Sequence, residues 1–113
     1  MPSQEQVREE LSTEFLRIYE QSYGGSAQSA KAIVAEDWVI VVLDGIELMP
    51  NERLLVDRGR ADSVLQVRTD YQHAIESSFR AAVERATGRT VVGFVSASRV
   101  EDPPFVAEIF KLR

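Results

Sequence analysis

Six consecutive apolar residues, Trp38 to Leu43, four of them β-branched, constrain this chain more than anything else in it. They follow an acidic pair, Glu36-Asp37, which itself follows a shorter β-branched run at Ile33-Val34. β-Branched side chains lose rotamer freedom in a helix and pack well on a pleated surface, so the stretch from Ala30 to Gly45 reads as a tight antiparallel hairpin. Its second strand lacks the alternation of a strand with one wet face. That strand is therefore expected at the centre of a sheet and covered on both sides, by helices or by a second subunit. This is the first indication of a homodimer.

The remaining elements follow from capping signals and periodicity. Ser3 and Gln6 have the spacing of a capping box, which predicts a helix from about Gln4. Val7, Leu11, Phe15, Ile18 and Tyr19 then recur every three or four residues on one face. Gly24 and Gly25 are expected to stop this helix, and Gly24-Gly25-Ser26-Ala27 to form a flexible connection. Pro50 suits the first turn of a short helical piece over Asn51 to Asp57, and Arg58-Gly59-Arg60 marks a break after it. A stripe of Val64, Tyr71, Ile75, Phe79, Ala82, Val83 and Ala86 predicts a long helix over Asp62 to Thr87, with Gly88 as its C-terminal cap.

Thr90 to Ser98 and Phe105 to Leu112 read as two further strands, separated by a polar turn ending in Pro103-Pro104. The order helix-strand-strand-helix-strand-strand predicts a two-layer α+β fold, a four-stranded sheet with the helices on one face. At 113 residues the chain is expected to form a single domain.

Composition narrows the chemistry. A formal net charge of -5 disfavours nucleic acid as a partner. The absence of cysteine excludes disulfides and thiolate catalysis, and a single histidine, His73, excludes zinc sites that need several imidazoles. The longest apolar run, Trp38 to Leu43, is far below the ~20 residues that span a bilayer, so membrane insertion is not expected. The N-terminus shows no secretory leader, which makes a cytoplasmic location the expectation, with peripheral attachment to a membrane compatible. No cofactor is expected.

Lys31, Val34, Asp37, the run Val39-Ile40-Val41, Leu43 and Gly45, with Pro50, Glu52 and the segment Ala86-Thr87-Gly88-Arg89-Thr90-Val91-Val92-Gly93-Phe94, resemble the MpsC-like family. The likeness extends from the first helix to the last strand. It implies a small bacterial protein associated with a sodium-translocating, membrane-potential-generating system or an inorganic-carbon uptake system. It supplies no catalytic residues to carry over. This chain departs from the family pattern at Gly24-Gly25-Ser26-Ala27, where a glycine-basic-glycine-proline turn is expected, and at Ser96-Ala97-Ser98, where a threonine-aspartate pair is expected.

Arg68 is the most conspicuous candidate functional residue, because it interrupts the apolar stripe of the long helix. A buried arginine requires a carboxylate or an anionic ligand, whereas an arginine at the edge of a stripe packs its stem and keeps its head wet; the second reading is preferred. Arg53, Arg58 and Arg60 are interleaved with Glu52, Asp57 and Asp62 and read as a solvated face. His73 shares a polar face with Gln66, Asp70, Ser77 and Arg80 and reads as exposed. Glu36 and Asp37 fit a turn better than a catalytic pair.

No phosphate loop, nucleophile elbow or metal-helix motif is present. The leading expectation is a non-enzymatic accessory or binding protein, a homodimer partnered with a membrane transport system. A small-anion or small-molecule sensor with a ligand near Arg68 and Arg99 is the alternative, and an enzyme is a more distant one.

Overall fold

The alternation of buried positions along four strands decides the architecture. The computed structural model describes residues 3–23 and 25–113. In chain order the elements are α1 (Gln4–Tyr23), β1 (Ser29–Ala35), β2 (Trp38–Asp44), α2 (Pro50–Asp57), α3 (Ala61–Thr87), β3 (Val91–Arg99) and β4 (Phe105–Leu112). The expected α+β order is present, and α2 is a separate short helix. The strands form one antiparallel sheet in the order β1-β2-β4-β3, so the two hairpins are joined by pairing of β2 with β4.

The start of α1 and the end of α3 have identifiable causes. The Ser3 hydroxyl accepts from the Gln6 N–H at 3.1 Å while the Gln6 side chain accepts from the Ser3 N–H at 2.9 Å, the expected reciprocal cap. The expected stop at Gly24 lies outside the described residues; α1 ends at Tyr23. Gly88 caps α3 with φ 70°, a left-handed conformation that costs a residue with a Cβ about 1–2 kcal/mol. Gly88→Ala is expected to lower stability by about 1 kcal/mol, read as a shift of the urea midpoint without a change in slope.

One face of the sheet carries the core. Val39, Val41 and Leu43 of β2, Val106, Phe110 and Leu112 of β4, Ala32 of β1 and Val91 of β3 are buried beneath α1 and α3. Phe15 stacks on Phe79 with ring centroids 4.5 Å apart and meets Phe110 edge-on at 5.8 Å, which ties α1, α3 and β4 together. A smaller cluster of Leu48, Val64 and Val100 holds α2 and the start of α3 over the loop after β3.

On the other face the helices do not supply the cover expected for β2, which leaves the second subunit of that expectation. Along β2 buried residues alternate with half-buried Ile40 and Val42, and Trp38 is 47% exposed. All the packing helices lie against one face, and none of the described residues covers the second. β2 is central, as its sequence requires, and its continuous apolar run arms both faces.

The stripe of α3 is also corrected. Tyr71 is 48% exposed, and the positions that face the sheet at its level are Arg68 and Gln72. Counting four from Val64 gives Arg68 and four more gives Gln72, before the helix returns to apolar Phe79, Ala82, Val83 and Ala86.

Candidate functional site

Two polar residues on successive turns of the apolar face of α3 organise the site. Arg68 is 2% exposed and Gln72 is 3% exposed, so both heads lie inside the protein. For Arg68 this overturns the expectation of a wet guanidinium at the edge of the stripe: the side chain is driven inward by the helical phase and is met by partners.

Glu52 of α2 accepts from Arg68 Nε at 2.8 Å and from Nη2 at 3.0 Å, a two-pronged pairing of guanidinium and carboxylate. Arg68 Nη1 donates to the Tyr19 hydroxyl at 2.7 Å. The guanidinium also sits 5.1 Å from the centre of the Tyr23 ring, and the Tyr23 hydroxyl donates to the Arg68 carbonyl oxygen at 3.4 Å. Glu52 has a second duty, accepting from the Met49 N–H at 2.9 Å at the start of α2. Burial alone would raise the Glu52 carboxyl, yet the Arg68 pairing and the Met49 N–H outweigh it and hold the group below the usual carboxylate range. Burial pushes the Tyr19 and Tyr23 hydroxyls up, so both stay neutral. A cavity of about 190 Å³ opens beside this cluster between Tyr23, Met49, Val67 and Tyr71.

One turn further along α3 the situation reverses. Glu108 of β4 is 0% exposed, with its cross-strand neighbours Val41 on β2 and Ser96 on β3. Gln72 and Ser96 flank its carboxyl closely enough to favour ionisation, but burial dominates and raises the Glu108 titration to about 8. No well-formed hydrogen bond reaches either Glu108 oxygen, either terminal atom of Gln72 or the Ser96 hydroxyl, although Gln72 and Ser96 are the polar groups that face the carboxyl. Buried polar atoms are nearly always paired, so an orphaned group of this kind calls for an explanation. A cleft of about 380 Å³ between α3 and β3 reaches Gln72 and Ser96, walled by Leu65 and Phe94 and bounded by His73 and Glu76.

The residues singled out by sequence fall in different places. Arg68 is at the centre of the buried network. Arg99 is exposed at the end of β3, where its guanidinium donates to the Asp102 carbonyl oxygen at 3.1 Å, and no contact joins it to Arg68. His73 is exposed and makes no hydrogen bond to Glu108. Arg53, Arg58 and Arg60 are all exposed. Asp37 of the hairpin turn pairs with Arg89 at 2.7 Å and Lys111 at 3.6 Å, a fastening of the turn to the ends of α3 and β4.

Sequence reasoning did not single out Glu108, Gln72 or Glu52 as partners. For Glu108 the signal was present: in Val106-Ala107-Glu108-Ile109-Phe110 the acid shares the phase of Val106 and Phe110, the inward phase of an alternating strand.

Among the described residues no group of three or more histidine, cysteine, aspartate or glutamate side chains could hold a metal ion, and no helix is long and apolar enough to cross a membrane. No curated protein and no solved structure matches the chain. A family model described as Na+-translocating membrane potential-generating system (MpsC) matches residues 3–112, nearly the whole length, and the protein belongs to that family.

Proposed function

We propose that the chain is a non-catalytic accessory subunit of the Na+-translocating system for which its family is named, and that it works as a homodimer closed through the outer face of the sheet. The observation that carries the dimer is a row of apolar residues across that face. Register aligns Ile33 with Ile40, Ile40 with Ile109 and Ile109 with Val95, one from each strand in spatial order. Ile33 is 42% and Val95 62% exposed, and none of the described residues covers them.

The row fits a second copy of itself. A two-fold axis running along the strands between β2 and β4 would lay Ile33-Ile40-Ile109-Val95 against the same row reversed, so that apolar meets apolar at every position. Lys111, which could break such a contact, is already held by Asp37 at 3.6 Å and lies 4.6 Å over the Trp38 ring.

Four strands ~4.8 Å apart and about seven residues long give a face of roughly 19 by 23 Å, on the order of 440 Å². The whole face, Lys31 and Lys111 included, is about half the ~800 Å² per partner of a standard interface, which fits micromolar association. Sedimentation velocity over the micromolar range is expected to show a dimer that Val95→Asp converts to a monomer. A strict monomer at the highest concentration removes the dimer.

The accessory role is supported by the family and by the way Arg68 is used. With Nε, Nη1 and Nη2 already donating to Glu52 and Tyr19, its guanidinium is committed to the fold, which weakens the alternative of a small-anion sensor at Arg68 and Arg99. Cells lacking the chain are expected to lose Na+-dependent membrane potential, with recovery on expression of the wild type and not of Val95→Asp. An unchanged potential in the deletion overturns the role.

A further inference from the structure

The sheet ends in two edge strands that are not equally defended. β3 is broken by a bulge between Val91 and Gly93, a device that turns an edge away from other strands. β1 pairs with β2 in unbroken register from Ser29 to Ala35, contains no proline and carries one lysine, so its free side presents a straight row of backbone N–H and C=O groups. Among the described residues no loop backbone hydrogen-bonds to that row. It matches one kind of partner, another extended backbone, because a strand repeats its donors and acceptors at the same spacing.

A groove runs beside the row. α1 stands back from the edge and leaves an open trough of about 690 Å³ against β1. Ala30, Ala32 and Val34 face this side by the alternation of the strand, and the two alanines leave room for long side chains. On the α1 wall Glu5 and Glu9 are exposed and one turn apart, ~6 Å along the helix axis. Alternate residues of a strand repeat every ~6.8 Å, so the two acids stand nearly in step with successive side chains of a strand laid along β1. Neither acid enters an ion pair among the described residues. Arg8, half-buried on the same wall, offsets one of the two charges, and a chain of net charge -5 keeps the surroundings attractive to a cationic segment. On the outer side of the edge stands Ile33, 42% exposed, which an apolar neighbour on an added strand would cover.

We propose that the β1 edge is a docking site for an extended segment of a partner protein, added as a fifth strand, whose side chains alternate between basic residues turned towards α1 and apolar residues beside Ile33. The backbone row gives the attachment, and Glu5 and Glu9 select the charge. The site is built on the edge of one chain and needs neither the homodimer nor the transport role.

Amide hydrogen exchange with a short synthetic peptide of alternating lysine and valine tests the proposal, beside a glutamate–valine counterpart and a lysine–valine peptide N-methylated at every amide. The first peptide is expected to slow exchange at alternate amides of Ser29–Ala35, those turned to the edge, by about tenfold or more, and to leave β3 unchanged. The same protection is expected in the Val95→Asp chain, where outer-face association is removed. Combining Glu5→Lys with Glu9→Lys is expected to weaken the peptide about tenfold, while unchanged exchange along α3 reports an intact fold. Absent protection at β1, equal binding of either control peptide, or full affinity in the doubly reversed variant overturns the proposal. Slow exchange of the β1 edge amides in Val95→Asp without peptide assigns that edge to a second copy and overturns it as well.

Discussion

Glu108→Gln is expected to raise the thermal midpoint at pH 8.5 and to leave it nearly unchanged at pH 4.5. The folded protein holds a proton on Glu108 up to about pH 8, whereas the unfolded chain releases it near the ordinary value of 4.5. Over that window the unfolded state binds fewer protons, so stability present below the unfolded pKa is lost as pH rises, by about 1.4 kcal/mol per unit. Across the window the loss is on the order of 3–5 kcal/mol. Glutamine has the shape of the protonated acid and no charge to bury. Its stability curve should therefore stay flat where that of the wild type declines. An equal shift at both pH values, or a fall at pH 8.5, would show that the carboxyl is not held as a neutral acid.

Glu52→Ala should be among the most damaging substitutions in the chain, at about 3–5 kcal/mol, because it leaves the Arg68 charge buried without its carboxylate. The reverse change is expected to be milder. The Arg68 side chain is 3% exposed, but that of Glu52 is 17% exposed and can turn towards water when its partner becomes Arg68→Met. Arg68→Met also keeps most of the stem's packing against Tyr19 and Tyr23. The double variant should lie close to Arg68→Met alone, giving a coupling energy of a few kcal/mol in a double-mutant cycle by urea unfolding. Additive effects would mean that the pair does not act as a unit.

The same pair sets an acid limit. The Glu52 carboxyl is depressed in the folded state, so its contribution is present above the unfolded value and is lost as pH falls from about 4.5 through the folded value. Glu52 and Glu108, which face Arg68 and Gln72 on successive turns of α3, therefore act on opposite sides of the pH range.

What could be read in advance depended on whether a signal was local. The Ser3-Gln6 cap, the Glu36-Asp37 turn, Pro50 at the start of α2 and Gly88 at the end of α3 are decided by a few adjacent residues, and each is where the sequence placed it. Tyr71 was assigned to the buried stripe because aromatic residues count as apolar, although the helical phase from Val64 runs through Arg68 and Gln72 instead. The inward position of Arg68 follows from phase, but its partner Glu52 lies on another helix and no spacing rule reaches it. Glu108 was hidden for a related reason: an acid in a strand is read as facing water until the strand on each side is known. The open outer face also required the topology, since an apolar run such as Val39 to Val42 is equally compatible with one covered face or two.

The position of β4 between β2 and β3 has a bearing on how the molecule is made. The last strand of the chain is not an edge but the link between the two hairpins, pairing Trp38 with Lys111 and Asp44 with Phe105 across more than half of the sequence. During synthesis from the N-terminus, β1 and β2 can close early, yet their inner face has no completed core to join until β4 emerges. Until then the run from Trp38 to Leu43 offers a free strand edge as well as two apolar faces. A nascent chain stalled short of Phe105 would expose it, and the arrival of β4 is what converts that hazard into the middle of a sheet.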